Sequence, residues 1–145
     1  MKETGKITAV MVLEIIGRPA KHLVDTLEEI IKEMGEERGV KINNKKINEP
    51  VELKDRKDFF TTFAEIEIEV EEASELAMLM FKYMPAHVEV VSPESINLTN
   101  NDYGDILSEL TRRLHKYDEV ARVVKMEKDI LEKKLKDILE KKEDK

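Results

Sequence analysis

Cysteine and tryptophan are missing from this chain, and its 145 residues include only 4 prolines and 5 glycines. Without cysteine there can be no disulfide framework, no thiolate nucleophile and no thiolate metal site. No stretch approaches the eighteen or so consecutive apolar residues that a membrane-spanning helix needs. The opening "MKETGKITAV" lacks the uninterrupted apolar core and small-residue cleavage site of a secretory leader. A cytoplasmic protein is the expectation.

Catalytic signatures are missing as well. The sequence holds no G-x-x-x-x-G-K-[ST] or G-x-G-x-x-G phosphate loop, no nucleophile elbow and no H-E-x-x-H pair. Its three histidines, His22, His87 and His115, are scattered. These absences point away from an enzyme, leave no catalytic residue to name and call for no cofactor.

What is abundant is charge. Charged residues make up 39% of the chain, against about a quarter in ordinary globular proteins, and Glu and Lys dominate. That bias suits a thermophile, whose surface ion pairs gain value as ion desolvation becomes cheaper with heat; a helix-rich surface would produce it equally well. A hydrophobic share of 41% suffices for a real core in one domain of this length. The formal charge of −7 is unevenly placed: residues 1–100 carry 13 Lys/Arg against 20 Asp/Glu, whereas residues 101–145 carry 12 of each. An acidic body repels phosphate backbones at long range, which counts against general nucleic-acid binding.

The order of elements can be read from periodicity. "KITAVMVLEIIG" (residues 6–17) is short, β-branched and apolar in both its odd and even positions, as in a central strand covered on both sides. "PAKHLVDTLEEIIKEMG" has helical spacing, with Pro19 placed in a first turn and Gly35 or Gly39 available to stop it. "VKINNKKINEPVEL" reads as one broken edge strand, since lysines and Pro50 do least harm at an edge. "FFTTFAEIEIEVE" alternates strictly, with Phe60, Thr62, Ala64, Ile66, Ile68 and Val70 facing one way and Phe63, Glu65, Glu67 and Glu69 the other. "EEASELAMLMFKYM" is a short helix, apolar nearly all round and so expected to be covered on two sides, with Met78, Met80 and Met84 read as adaptable core packing. "AHVEVVSP" supplies a last strand with Ala86, Val88 and Val90 inward.

From Asp102 to about Lys142 the chain is helical and free of proline. Leu107, Leu110, Leu114, Tyr117, Ala121, Val124, Lys128, Leu131, Leu135, Ile138 and Lys142 fall on alternating three- and four-residue steps, the spacing of a coiled-coil seam. Two regions follow: an α+β domain over residues 1–99 and a long C-terminal helix over 100–145. A helix of about 40 residues reaches roughly 60 Å, more than a small domain can cover.

The β-α-β-β-α-β order resembles the ferredoxin-like fold, an antiparallel sheet with two helices on one face. Within it, "EIIGRPAKHLVDTLEEIIKEMGEERGVKI" resembles the opening βαβ of ACT-type regulatory domains. There a Gly-containing turn leads into a helix starting near a Pro, and small effectors bind beside the turn. Gly17 and Pro19 match in kind, whereas the usual adjacent Pro-Gly pair and acidic lead-in are missing here.

Two candidate sites stand beside plainer readings. Gly17, Arg18, Lys21 and His22 surround a helix N-terminus and could bind a small anion; the first reading is simply a strand-to-helix turn. Glu65, Glu67, His87 and Glu89 share the open sheet face with Glu14, Glu69, Val10 and Val12, and could hold a divalent metal; the first reading is an acidic surface. Phe63 among glutamates argues against RNA recognition by that face, which needs aromatics and positive charge. His115, in the basic cluster "TRRLHKYDE", reads as a solvated helix face. The leading expectation is a non-catalytic interaction module that associates through Leu114, Tyr117, Val124, Leu131, Leu135 and Ile138, as a homo-oligomer (a dimer first) or with a partner helix. An ACT-like sensor of an anionic effector and a divalent-metal-binding protein are the alternatives.

Overall fold

The computed structural model describes residues 6–143. Residues 1–5, on which part of the leader reading rests, and residues 144–145 lie outside them. The chain divides into two compact units, residues 1–102 and 103–145.

The first unit is an α+β body whose order is β1 (Ile7–Gly17), α1 (Ala20–Glu36), β2 (Val40–Ile47), β3 (Val51–Glu52), β4 (Phe60–Val70), α2 (Ala73–Tyr83) and β5 (His87–Ser92). The strands form one antiparallel sheet in the order β2-β4-β1-β5, with β3 pairing the start of β4. This βαββαβ-like arrangement is consistent with a ferredoxin-like fold. The two apolar-rich strands, β1 and β4, occupy the centre and pair along their whole length, from Ile7 opposite Val70 to Gly17 opposite Phe60.

Alternation decides which face is which. Ile7, Ala9, Met11 and Leu13 of β1 and Ala64, Ile66, Ile68 and Val70 of β4 are buried against Leu27, Ile31 and Met34 of α1 and Leu76 and Leu79 of α2. Both helices therefore cover one face, and each fully buried Leu or Ile removes apolar surface worth roughly 1.5–3 kcal/mol. The other face, away from both of these helices, carries the even residues of β1 and the odd residues of β4.

Several elements differ in detail from their sequence reading. Pro19 caps α1 rather than starting it: its backbone is extended and its carbonyl accepts the His22 N–H at 3.1 Å. The helix runs through Gly35, where the missing side chain admits Ile42 to within 3.3 Å of a β-carbon's position, and the chain turns at Gly39 with φ +78°. The expected single edge strand is two, because residues 48–50 break pairing at Pro50 before β3 resumes it along the same edge of β4. In α2 Leu76, Leu79 and Phe81 are buried, while Met78 and the C-cap residue Met84 are more than half exposed. Leu76 and Leu79 belong to the core, and the buried Phe81 lies on the other side of the helix, so the exposed methionines and not the two-sided cover depart from the sequence reading. Val90 lies opposite Ala9 on the helix-side face yet is 41% exposed, since β5 is an edge strand at the far end from β2.

The second unit is made by α3 (Asn100–Glu143), a 44-residue helix whose first three residues fall in the first unit. It begins two residues before Asp102 because the Thr99 hydroxyl accepts the Asp102 N–H at 3.1 Å, as an N-cap does.

Candidate functional site

Three surfaces carry the side chains singled out by sequence. The first is the turn from β1 to α1. Gly17 packs under Leu23, whose Cδ2 would lie 3.1 Å from an added β-carbon. The Arg18 guanidinium lies over the Phe59 ring at 5.2 Å, and Arg56 approaches the same ring at 5.9 Å. Both are cation–π distances. Lys21 and His22 are exposed on the first turn of α1, which carries no acidic residue and no side-chain cap. The turn thus gathers positive charge, while its arginine is engaged with an aromatic ring. Phe59 and Arg56 sit in "LKDRKDFF", a loop without periodicity, and no sequence signal pointed to them.

The second surface is the open sheet face, whose register is fixed residue by residue. Val10 lies between Glu67 and Glu89, and Val12 between Glu65 and His87. Glu65 and Glu67 stand two apart on one strand, about 7 Å between their stems, and His87 is two strands away, roughly 10 Å across the intervening valine. Among the described residues no group of three or more His, Asp and Glu side chains is placed to hold a metal ion. The glutamates instead meet positive charge from the edge: Lys41 lies opposite Glu69 and Lys46 opposite Glu65, and Lys6 pairs with Glu69 at 3.6 Å. These two β2 lysines lie on either side of a bulge at Asn43, Lys41 before it and Lys46 after it. From the sequence alone, that irregularity hides which β2 residues share the open face.

A further cluster joins the C-terminal ends of the two body helices. Glu37 pairs with Lys82 and accepts the Tyr83 hydroxyl at 2.9 Å. The Lys82 hydrogen bond, followed by that of Tyr83, holds the Glu37 carboxyl below its ordinary range. The same bond raises Lys82, and burial, aided by Glu37, raises the Tyr83 phenol. Beside α1 an open groove of about 650 Å³ runs along β2, lined by Glu28, Ile31, Lys32 and Gly35 with Ile42 and Lys45.

The third surface is α3. None of its residues is buried. Leu114 (59%), Leu131 (65%), Leu135 (58%) and Ile138 (60%) are exposed, as are Tyr117 and Val124 beside them. Val124, Leu131 and Leu135 line a shallow groove with Glu127, Lys128 and Glu132. Glu109 is held below the ordinary carboxylate range by hydrogen bonds from Arg112 and Arg113, and Asp118 pairs with Arg122 at 3.0 Å. His115, on the same helix, is exposed.

A family model described as the MJ0538 family matches residues 8–143, through both the body and α3, and the chain belongs to that family. Among curated proteins no match is found.

Proposed function

We propose that this member of the MJ0538 family is a non-catalytic interaction module: a ferredoxin-like body joined to a second copy of the chain through a coiled coil of α3. One observation carries the reading. The heptad positions Leu114, Tyr117, Val124, Leu131, Leu135 and Ile138 form an apolar stripe, interrupted by Lys128, whose members are all about half exposed or more. Soluble monomers rarely leave a contiguous apolar patch larger than a few hundred Å² in water, and a stripe with 3.5-residue periodicity is the surface that a second helix covers by interlocking side chains.

Covering that stripe would remove apolar area from water at about 25 cal/mol per Å² before the costs of association are counted. A second copy is the economical partner because it brings an identical stripe of the same length. The even balance of 12 basic and 12 acidic residues in 101–145 also spares two such helices the mutual repulsion that the acidic body would impose.

Sedimentation equilibrium of the full chain at micromolar concentrations tests this. The wild type is expected to be a dimer, and the Leu131→Lys, Leu135→Lys double variant a monomer whose body keeps its dispersed amide NMR spectrum. A wild type that stays monomeric at high micromolar concentration, with residues 121–142 still helical, would refute the proposal.

A further inference from the structure

The direction of the pairing is written into the polar residues of the seam. Continuing the stripe four residues back from Leu107 adds Tyr103, which is 53% exposed. The seam then contains four residues with a polar group, Tyr103, Tyr117, Lys128 and Lys142. The two tyrosines fall in one of the two alternating heptad positions and the two lysines in the other.

In a parallel, in-register pair each seam residue meets its own copy. Lys128 would then face Lys128 and Lys142 would face Lys142, so two like-charged pairs would have to be desolvated at the helix interface. In an antiparallel pair the two heptad positions face each other instead. Setting Ala121 opposite Val124 at the centre places Leu114 opposite Leu131 and Lys128 opposite Tyr117. Continuing outward, Lys142 falls opposite Tyr103. Every lysine in the seam meets a tyrosine, and every tyrosine meets a lysine.

Such a pairing is chemically apt. An ammonium over a phenol ring gains a cation–π attraction, and the phenol oxygen can accept one of its protons. Among the described residues Lys128 pairs with Glu132 of its own helix at 3.8 Å, a long contact between exposed groups. The flanking charges do not separate the two orientations. The antiparallel pair sets Asp118 against Lys125 and Arg113 against Lys134, and the parallel pair sets Arg113 against Asp118 and Glu127 against Glu132. Each therefore has one opposite-charge and one like-charge contact per helix, so the seam residues decide. Sliding the helices by one heptad sets Lys128 against an aliphatic residue and shortens the overlap.

We infer that α3 associates with α3 of a second copy in antiparallel orientation, with Lys128 against Tyr117 and Lys142 against Tyr103. This rests on α3 being the association helix. It places the N-terminal ends of the two helices about 60 Å apart along the pair, at ~1.5 Å per residue.

The chain lacks cysteine, which makes the test direct. Leu114→Cys and Leu131→Cys are prepared separately in the full chain, mixed and oxidised. An antiparallel pair gives the mixed disulfide and little of either self-disulfide, because identical positions lie roughly 25 Å apart along the axis. A parallel pair gives both self-disulfides and no mixed product, which would overturn this inference while leaving association standing. To avoid disturbing the seam, a spin label at Lys133→Cys, outside it, supplies a second reading. Label distances beyond about 30 Å support the antiparallel pair, and distances near two helix diameters, about 20 Å, overturn it. A dimer by sedimentation that shows neither the mixed disulfide nor the long distance also overturns it. A monomer by sedimentation removes both this inference and the association it rests on.

Discussion

The carboxylate of Glu75 fills the space that a side chain on Gly39 would need: an added β-carbon there would come within 2.7 Å of Glu75 Cδ. That carboxylate is fixed, since it accepts the backbone N–H groups of Glu71 at 3.0 Å and Glu72 at 3.2 Å ahead of α2. Gly39 also has φ +78°, in the left-handed region that a β-carbon penalises by roughly 1–2 kcal/mol. Gly39→Ala is therefore expected to destabilise the body by at least about 1–2 kcal/mol, with further loss as the Glu75 cap is displaced. Gly104 has open space around it and lies within α3, so Gly104→Ala should stabilise that helix by up to about 1 kcal/mol. Urea denaturation followed by circular dichroism reads both signs.

The Glu37–Lys82–Tyr83 cluster gives the body a pH window. Glu37 is depressed from its ordinary 4.5, so its contribution is present above that value and is lost as pH falls through the lower folded one. Lys82 and Tyr83 are raised from 10.5 and 10.0; their contribution is complete below those values and is lost as pH rises through the higher folded ones. Glu37→Gln should flatten stability at the acid end, because it removes the acidic group, and lessen the dependence at the alkaline end, because it removes the partner that raises Lys82 and leaves Tyr83 raised by burial. Midpoints of urea denaturation across pH 3 to 11, for wild type and variant, measure the difference; curves of identical shape would show that the cluster carries no linkage.

Strict alternation made β4 legible: Ile66, Ile68 and Val70 are buried and Glu65, Glu67 and Glu69 face the other way, as a period of two requires. The central place of β1 was legible because both its faces are largely apolar. Residues 48–59 were not, because a two-residue strand and a loop held by Arg18 and Arg56 on Phe59 have no periodic signature. The exposure of Val90 depends on where the helices stop covering the sheet, which is a tertiary fact. The long helix α3 was readable from its proline-free run and its apolar residues at three- and four-residue steps. The groove between α1 and β2 depends on the Gly35–Ile42 approach and could not be seen before the elements were packed.

Charge on the open face is arranged to match across strands, and this can be measured. Lys46 lies opposite Glu65, and opposite-charge pairs in that position contribute about 0.2–1 kcal/mol. Lys46→Glu should cost about that much, Glu65→Lys should do likewise against its own lysine, and the two together should restore most of the loss. Raising salt to 1 M shortens the screening length to about 3 Å and should shrink the coupling. A double-mutant cycle in urea, at low and high salt, gives the value directly; a coupling near zero at low salt would mean that the lysines of β2 simply point into water.

The helicity of residues 121–142 should depend on protein concentration. A helix without tertiary packing relies on propensity and local pairs, and even favourable sequences of limited length are marginal in water. Here the local support in that stretch and just before it is slight: Asp118 with Arg122 at 3.0 Å and Lys128 with Glu132 at 3.8 Å, both exposed. Each such pair contributes only about 0.2–0.5 kcal/mol. Covering Val124, Leu131, Leu135 and Ile138 with a second helix adds burial that none of these residues has within one chain. Backbone amides of residues 121–142 are therefore expected to exchange quickly with solvent deuterium in dilute protein and slowly above the association midpoint, while the β1 and β4 amides remain protected throughout. The Leu131→Lys, Leu135→Lys variant should show fast exchange in the helix at every concentration. Protection of this stretch that did not change with dilution would mean that α3 holds its own helix without a partner, and the physical reason for pairing would be gone.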